Sequence, residues 1–182
     1  MGFITKTVAV DEQPKKSMGG FSVLPDYSLE QPVFETEDVV MLVIVGGTGW
    51  HEEKNQKAAL LVDAAIKKNI PVAAICDGVT FLAKHGYLDK VRHTGNTLAY
   101  IKHKAPGYKG QDLFEERQAV SDGNFITANG TGHLELAREI LAKLGVVPDV
   151  DHVRDILENL QISLDDRLAG WYAIWKRGMY PD

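Results

Sequence analysis

The spacing of apolar residues changes period several times along the chain, and each change predicts an element. Residues 3–10 (FITKTVAV) alternate branched and polar side chains and stop at DEQPKKSMGG, which predicts an unburied strand followed by a loop. Residues 39–45 (VVMLVIV) are continuously apolar and end at Gly46-Gly47, the pattern of a parallel strand covered on both faces, in the middle of a sheet. From Glu52 to Lys68, Ala58, Leu61, Val62, Ala65 and Ile66 recur at helical spacing, with Lys and Glu on the other face. A second apolar run, Pro71 to Ile75, precedes a helical pattern from Gly78 to Lys84 that ends at Gly86.

This alternation of strand and helix requires a parallel sheet with crossover helices, so the fold class is α/β. The stretch 98–116, with Pro106, Gly107 and Gly110, is less periodic and predicts a short strand and an exposed loop. Gln118–Val120 and Asn124–Ala128, separated by Ser121-Asp122-Gly123, read as a hairpin-like pair, and Thr131–Leu144 as another amphipathic helix ending at Gly145. After Pro148 two helical segments are expected, Val150–Leu160 and Ser163–Arg177, so that an α/β domain over 1–148 is followed by a helical extension over 149–182. Trp171, Tyr172, Ile174 and Trp175 make that extension aromatic, suited either to core packing or to a lid or dimer contact.

Composition narrows the function classes. The chain has 182 residues, 45% hydrophobic and 25% charged, enough for one domain with a real core. A net charge of −5 with scattered lysines argues against a nucleic-acid partner. No apolar run approaches the ~20 residues needed to span a bilayer and the N-terminus lacks a secretory core, so no membrane partner and a cytoplasmic location are expected. No histidine pair has metal-site spacing and only one cysteine is present, so neither a metal nor a cofactor is expected. Asn129-Gly130-Thr131-Gly132 ends a strand and opens a helix, where free N–H groups could hold an anion, but it lacks a phosphate-loop or dinucleotide fingerprint.

That one cysteine, Cys76, cannot form an internal disulfide; it is either a small buried hydrophobe or a reactive thiol. Its position at a strand end, with a helix following at once, lies where open α/β sheets keep ligand sites. The helix N-terminus is expected to lower the thiol pKa. The amide of Asp77 is a natural donor to a developing oxyanion, and a second could come from Gly47, where another parallel strand ends; the alternative for Gly46-Gly47 is a plain turn.

Three blocks, "VIVGGTGW" at 43–50, "AAICDGVTFLAKHGYLD" at 73–89 and "NFITANGTGHLELAREIL" at 124–141, in this order and spacing, resemble the ThiJ/PfpI family of the class I glutamine-amidotransferase-like superfamily. "SMGGF" at 17–21 and "HTGN" at 93–96 are similar to a bacterial branch of it. The resemblance spans residues 5 to about 145. It implies a flavodoxin-like three-layer sandwich with Cys76 as elbow nucleophile or redox-sensitive thiol. Family members usually begin with a strand and helix carrying a glutamate close to the sulfur, and nothing before Thr5 supplies them; either the sequence is truncated or the gap is repaired by rearrangement or by pairing with a second chain, of which a homodimer is the expectation. Several members place a histidine after the cysteine where this chain has Asp77, whose carboxylate would disfavour a thiolate or would simply serve the helix dipole. His93 is then the expected base facing Cys76, while His51, His85, His103, His133 and His152 are expected at the surface.

The resulting reading is cysteine-dependent hydrolase, amidotransferase-like or glyoxal chemistry on a small carbonyl substrate. Cys76 attacks, the Gly47 and Asp77 amides hold the oxyanion, and His93 moves the proton. Two alternatives stand beside it: a non-catalytic redox or stress-response protein sensing oxidation through Cys76, and a vestigial site.

Overall fold

The computed structural model describes residues 3–17 and 19–146. The helical extension expected over 149–182 lies outside them.

The main sheet has four strands. β5 (Leu42–Ile44) pairs in parallel with β6 (Val72–Ile75), β6 with β8 (Phe125–Ala128), and β8 antiparallel with β7 (Ala119–Asp122), giving the order β5-β6-β8-β7. Before it come four two-residue strands, β1 (Val8–Ala9), β2 (Lys15–Lys16), β3 (Ser22–Val23) and β4 (Tyr27–Ser28), and the short helix α1 (Val33–Thr36). β1 pairs with β4 and β2 with β3, so the strand expected over 3–10 shrinks to Val8–Ala9. The β7–β8 turn is closed by Gly123 at φ 55°, a left-handed position that glycine takes without cost.

Side-chain alternation along β6 divides the core between two faces. Val72 and Ala74 point into a cluster with Ile44, Val62 and Ala65 of α2 (Ala59–Lys67), and Val79, Phe81 and Leu82 of α3 (Asp77–Lys84). Ala73 and Ile75 point to the opposite face, against Ile126, Ala128 and Leu136 of α5 (His133–Lys143). The result is a flavodoxin-like sandwich of helices on both faces of a mainly parallel sheet. Phe81, Leu82, Val62 and Val72 are almost wholly buried, each contributing about 1.5–3 kcal/mol of apolar burial.

Three expectations are corrected here. β5 lies at the sheet edge rather than in its middle, with Val43 42% and Val45 62% exposed, because a continuous apolar run does not specify how many neighbours a strand has. Within 98–116 the expected strand is instead a helix, α4 (Leu98–Lys104), capped by the Thr97 side chain, which accepts from the Tyr100 N–H at 3.1 Å. The helix expected from Glu52 begins as 3-10 turns over Thr48–His51 and Glu53–Ala58 before α2 takes over.

Candidate active site

Cys76 connects β6 to α3 in a single residue. Its backbone stands at φ 57° and ψ −126°, a conformation that costs a non-glycine residue about 1–3 kcal/mol and persists only where its surroundings hold it. They do: the Cys76 N–H donates to the Ala128 carbonyl at 3.0 Å and its carbonyl accepts from the Val79 N–H at 3.0 Å. Helix α3 can start this close to β5 only because residue 78 is glycine. A Cβ there would lie 2.6 Å from the Ile44 carbonyl oxygen and 3.0 Å from that of Val45. At the end of β5, a Cβ on Gly46 would come within 3.1 Å of the Cys76 Cβ and 3.8 Å of its sulfur. Both parallel strand ends therefore meet at the thiol, as the sequence predicts.

Asn96 faces the sulfur. Its Nδ2 donates to Cys76 Sγ at 3.4 Å, and its Oδ1 accepts from the Gly130 N–H at 2.9 Å, which orients the amide. The Asn129–Gly132 stretch is thus used internally, with Asn129 Oδ1 also accepting from the Thr131 N–H at 2.9 Å and the Gly132 N–H donating to the Asn129 carbonyl. These amides serve the site's scaffold rather than an anion.

Burial pushes the Cys76 thiol up, and the Asp77 carboxylate pushes it further; the Asn96 donor and the Asp77 amide pull the other way and do not compensate. The expectation of a lowered thiol pKa is corrected accordingly. The helix N-terminus acts with the predicted sign, and desolvation outweighs it.

His93 does not face the thiol. It is completely buried, with Nδ1 bonded to the Val91 carbonyl at 2.7 Å and Nε2 to the Tyr108 hydroxyl at 2.5 Å, and its ring lies edge-on to Tyr108 and Phe114. Its backbone bridges to Phe114, donating to Leu113 and accepting from Glu115. Burial holds the imidazole below the ordinary histidine range. Both nitrogens are spent on packing this loop, and the residue that reaches the sulfur is Asn96, three positions on.

Asp77, expected as an oxyanion amide or a helix-dipole acid, is 4% exposed. As the first residue of α3 its N–H has no intrahelical acceptor and lies against the sulfur. Oδ2 of its carboxylate stands 3.6 Å from His51 Nε2, and Oδ1 is buried with no hydrogen-bond partner. His51 Nε2 also lies 3.3 Å from the Tyr100 hydroxyl. His51 is placed by its neighbour: Trp50 packs on Phe81 with ring centroids 4.6 Å apart and donates Nε1–H to the Val45 carbonyl at 2.6 Å. Gly47, at φ 146°, opens the same turn and accepts from the Trp50 N–H.

His51, Asn96 and Tyr100 are the site residues that sequence reasoning passed over. No local pattern signals them: Asn96 precedes the Thr97 cap and Tyr100 lies in the first turn of α4, and tertiary placement brings them to the elbow. Among the described residues no group of three or more His, Cys, Asp or Glu could hold a metal ion, and no helix is long and apolar enough to cross a membrane.

Comparison with known proteins identifies the family. The DJ-1/PfpI family model matches residues 1–143. Two proteins of Bacillus subtilis (strain 168), each named an uncharacterized protease, are similar: YoaZ is 40% identical over 144 residues, 79% of this chain and 68% of its own, and YdeA is 42% identical over 125 residues, 69% of this chain and 61% of its own. The chain thus spans about two thirds of the length of these relatives. Among solved structures, a thiJ/pfpI family protein from Bacillus anthracis superposes with TM-score 0.71 at 39% identity, covering 78% of this chain and 66% of that one. A DJ-1 superfamily protein from Agrobacterium tumefaciens superposes with TM-score 0.72 at 34% identity, covering 85% and 81%. The chain belongs to the DJ-1/PfpI family.

Proposed function

We propose that the protein is a cysteine-dependent enzyme acting on a small carbonyl substrate, by hydrolysis, amide transfer or glyoxal chemistry, with Cys76 as nucleophile. The observation that carries this reading is the strained backbone of Cys76 at the meeting point of two parallel strand ends, a strain of the kind a nucleophile elbow stores. The sulfur bonds to the carbonyl carbon, the π pair moves onto oxygen, and the oxyanion is held by the Gly47 and Asp77 N–H groups while the thiol proton leaves to a base. The relatives named as proteases are compatible with the hydrolytic branch.

Burial weighs against the redox-sensing alternative. Oxidation to sulfenic acid proceeds through the thiolate, which this environment disfavours at neutral pH, whereas carbonyl attack can shed the proton as the bond forms. The working unit in this reading is a cytoplasmic homodimer, for which the exposed β5 edge with Val43 and Val45 offers an unpaired surface.

A panel of small esters, glutamine and glyoxals tests the reading. Turnover of at least one is expected, with a mass adduct on Cys76, and Cys76→Ser abolishes both. Turnover that survives this substitution removes Cys76 from the mechanism.

A further inference from the structure

Asn96 is tied at both ends of its amide, and the two bonds leave it one orientation. Its Oδ1 accepts from the Gly130 N–H at 2.9 Å, and a backbone N–H can only donate, so the oxygen faces the loop after β8 and Nδ2 faces Cys76 Sγ, 3.4 Å away. A flipped amide would set two donors against each other at Gly130. Thr97, the next residue, caps α4 with its own side chain and so fixes the backbone beside Asn96. The sulfur therefore meets a donor that is oriented, neutral and unable to titrate.

The sheet order gives that donor a side. Cys76 follows β6, with Gly46-Gly47 after β5 on one flank and Gly130 after β8 on the other. Asn96 reaches the sulfur from the β8 flank, opposite the Gly47 amide that the proposed mechanism assigns to the oxyanion.

We propose that Asn96 is the positioning residue of the nucleophile: it occupies the sulfur from the β8 flank, turns the S–H hydrogen away from that flank, and holds the negative charge that passes through the sulfur during reaction. The inference rests on Cys76 being the nucleophile. As the sulfur–carbon bond forms, the thiol proton leaves to a solvent base and the carbonyl π pair becomes the oxyanion, so charge crosses the sulfur only in passing. When the C–S bond breaks again its electron pair returns to sulfur, and Nδ2 meets the departing thiolate. Charge on sulfur and charge on oxygen thus have separate donors on opposite flanks, and neither donor has to be given up to serve the other.

The surroundings make this role separable from a merely structural one. Burial and the Asp77 carboxylate push the thiol up, and the Asn96 donor pulls it down. Loosening the elbow relieves burial and lowers the titration midpoint, whereas loss of the donor raises it, so damage and lost positioning move one observable in opposite directions. The titratable groups around the elbow are Asp77 of α3, Tyr100 of α4 with Lys104 over its ring, and His51 of the turn after β5, whose Nε2 lies 3.6 Å from Asp77 Oδ2 and 3.3 Å from the Tyr100 hydroxyl. A substitution at Asn96 leaves all of them in place.

Thiolate absorbance against pH, read beside the rate of Cys76 alkylation by iodoacetamide, tests the role without any substrate. In the alkylation an S–C bond replaces the C–I bond, iodide leaves with its electron pair, and the thiol proton goes to buffer. Asn96→Leu keeps the approximate shape with neither donor nor charge, and Asn96→Asp keeps the acceptor for Gly130 but offers the sulfur no donor. Both are expected to raise the midpoint above that of the wild-type protein, Asn96→Asp further because its charge adds, and to slow alkylation at pH 7 about tenfold. A midpoint at or below the wild-type value in either variant, or alkylation no slower than wild type, overturns the role of Asn96. Turnover of the ester, glutamine and glyoxal panel that survives Cys76→Ser instead removes the nucleophile, whatever the Asn96 variants show, so the two failures are distinguishable.

Discussion

The two strand ends that meet at Cys76 are built in opposite ways. β6 is flanked on both sides by strands and covered on both faces, and it passes into α3 through one strained residue beneath which Gly78 leaves no spare volume. Among the described residues β5 has a partner on one side only, Val43 within it and Val45 after it face solvent, and it runs into an open 3-10 turn anchored by Trp50. The nucleophile belongs to the sealed half and His51 to the open one. The contrast teaches a division of labour: backbone geometry that must not move sits where packing is dense, and the turn that carries a polar side chain toward the elbow sits where it is not.

The comparison breaks most visibly at Gly78. Gly78→Ala forces a Cβ against two carbonyl oxygens of β5, and a loss of about 2–4 kcal/mol is expected in urea unfolding, together with the elbow's reactivity. A loss below about 0.5 kcal/mol would mean that the α3–β5 contact is far looser than described.

A second, intermediate effect concerns pH. The folded state holds His93 below its ordinary range by burial, and the unfolded chain returns it to about 6.5. Between those values the unfolded state binds the extra proton, so this contribution to stability is intact above about pH 6.5 and is lost as pH falls toward the folded value. His85, lowered by burial as well, has the same sign. The urea midpoint should therefore drop on going from neutral to mildly acidic buffer, and drop less in His93→Gln. Equal slopes would show that the buried imidazole is not responsible.

The smallest effect belongs to the open edge. Val45→Thr changes a side chain that is 62% exposed, and in dilute solution it should shift stability by less than about 0.5 kcal/mol. A larger loss that grows with protein concentration would reveal a partner copy covering β5, as the homodimer requires; sedimentation of both variants distinguishes the cases.

Much of the sealed half was legible in the sequence. The short apolar run before Cys76 and the helical pattern from Gly78 identify β6 and α3, and the same logic reads β8 and α5, because each element buries its own periodic face. The open half was not. Whether VVMLVIV lies in the middle of a sheet or at its edge depends on neighbours that the run itself does not encode. Helix α4 buries only Ile101 completely and ends in Lys102, His103 and Lys104, too little periodicity to show. His51 comes from the 3-10 turn after β5, Asn96 from the residue before the Thr97 cap and Tyr100 from α4, a proximity that no local pattern records, and resemblance to the family directs attention to His93 instead. The thiol illustrates a different limit: helix polarity can be read from order, but the larger desolvation opposing it depends on how deeply the elbow is packed.

The central claim is that Cys76 rests as a protonated thiol at the elbow and sheds its proton only during attack. Ultraviolet absorbance of the thiolate, titrated in the wild-type protein with Cys76→Ser as blank, measures this directly. The account predicts no thiolate at neutral pH and an inflection above that of a free cysteine, about 8.5. A thiolate already formed at pH 7 would contradict it.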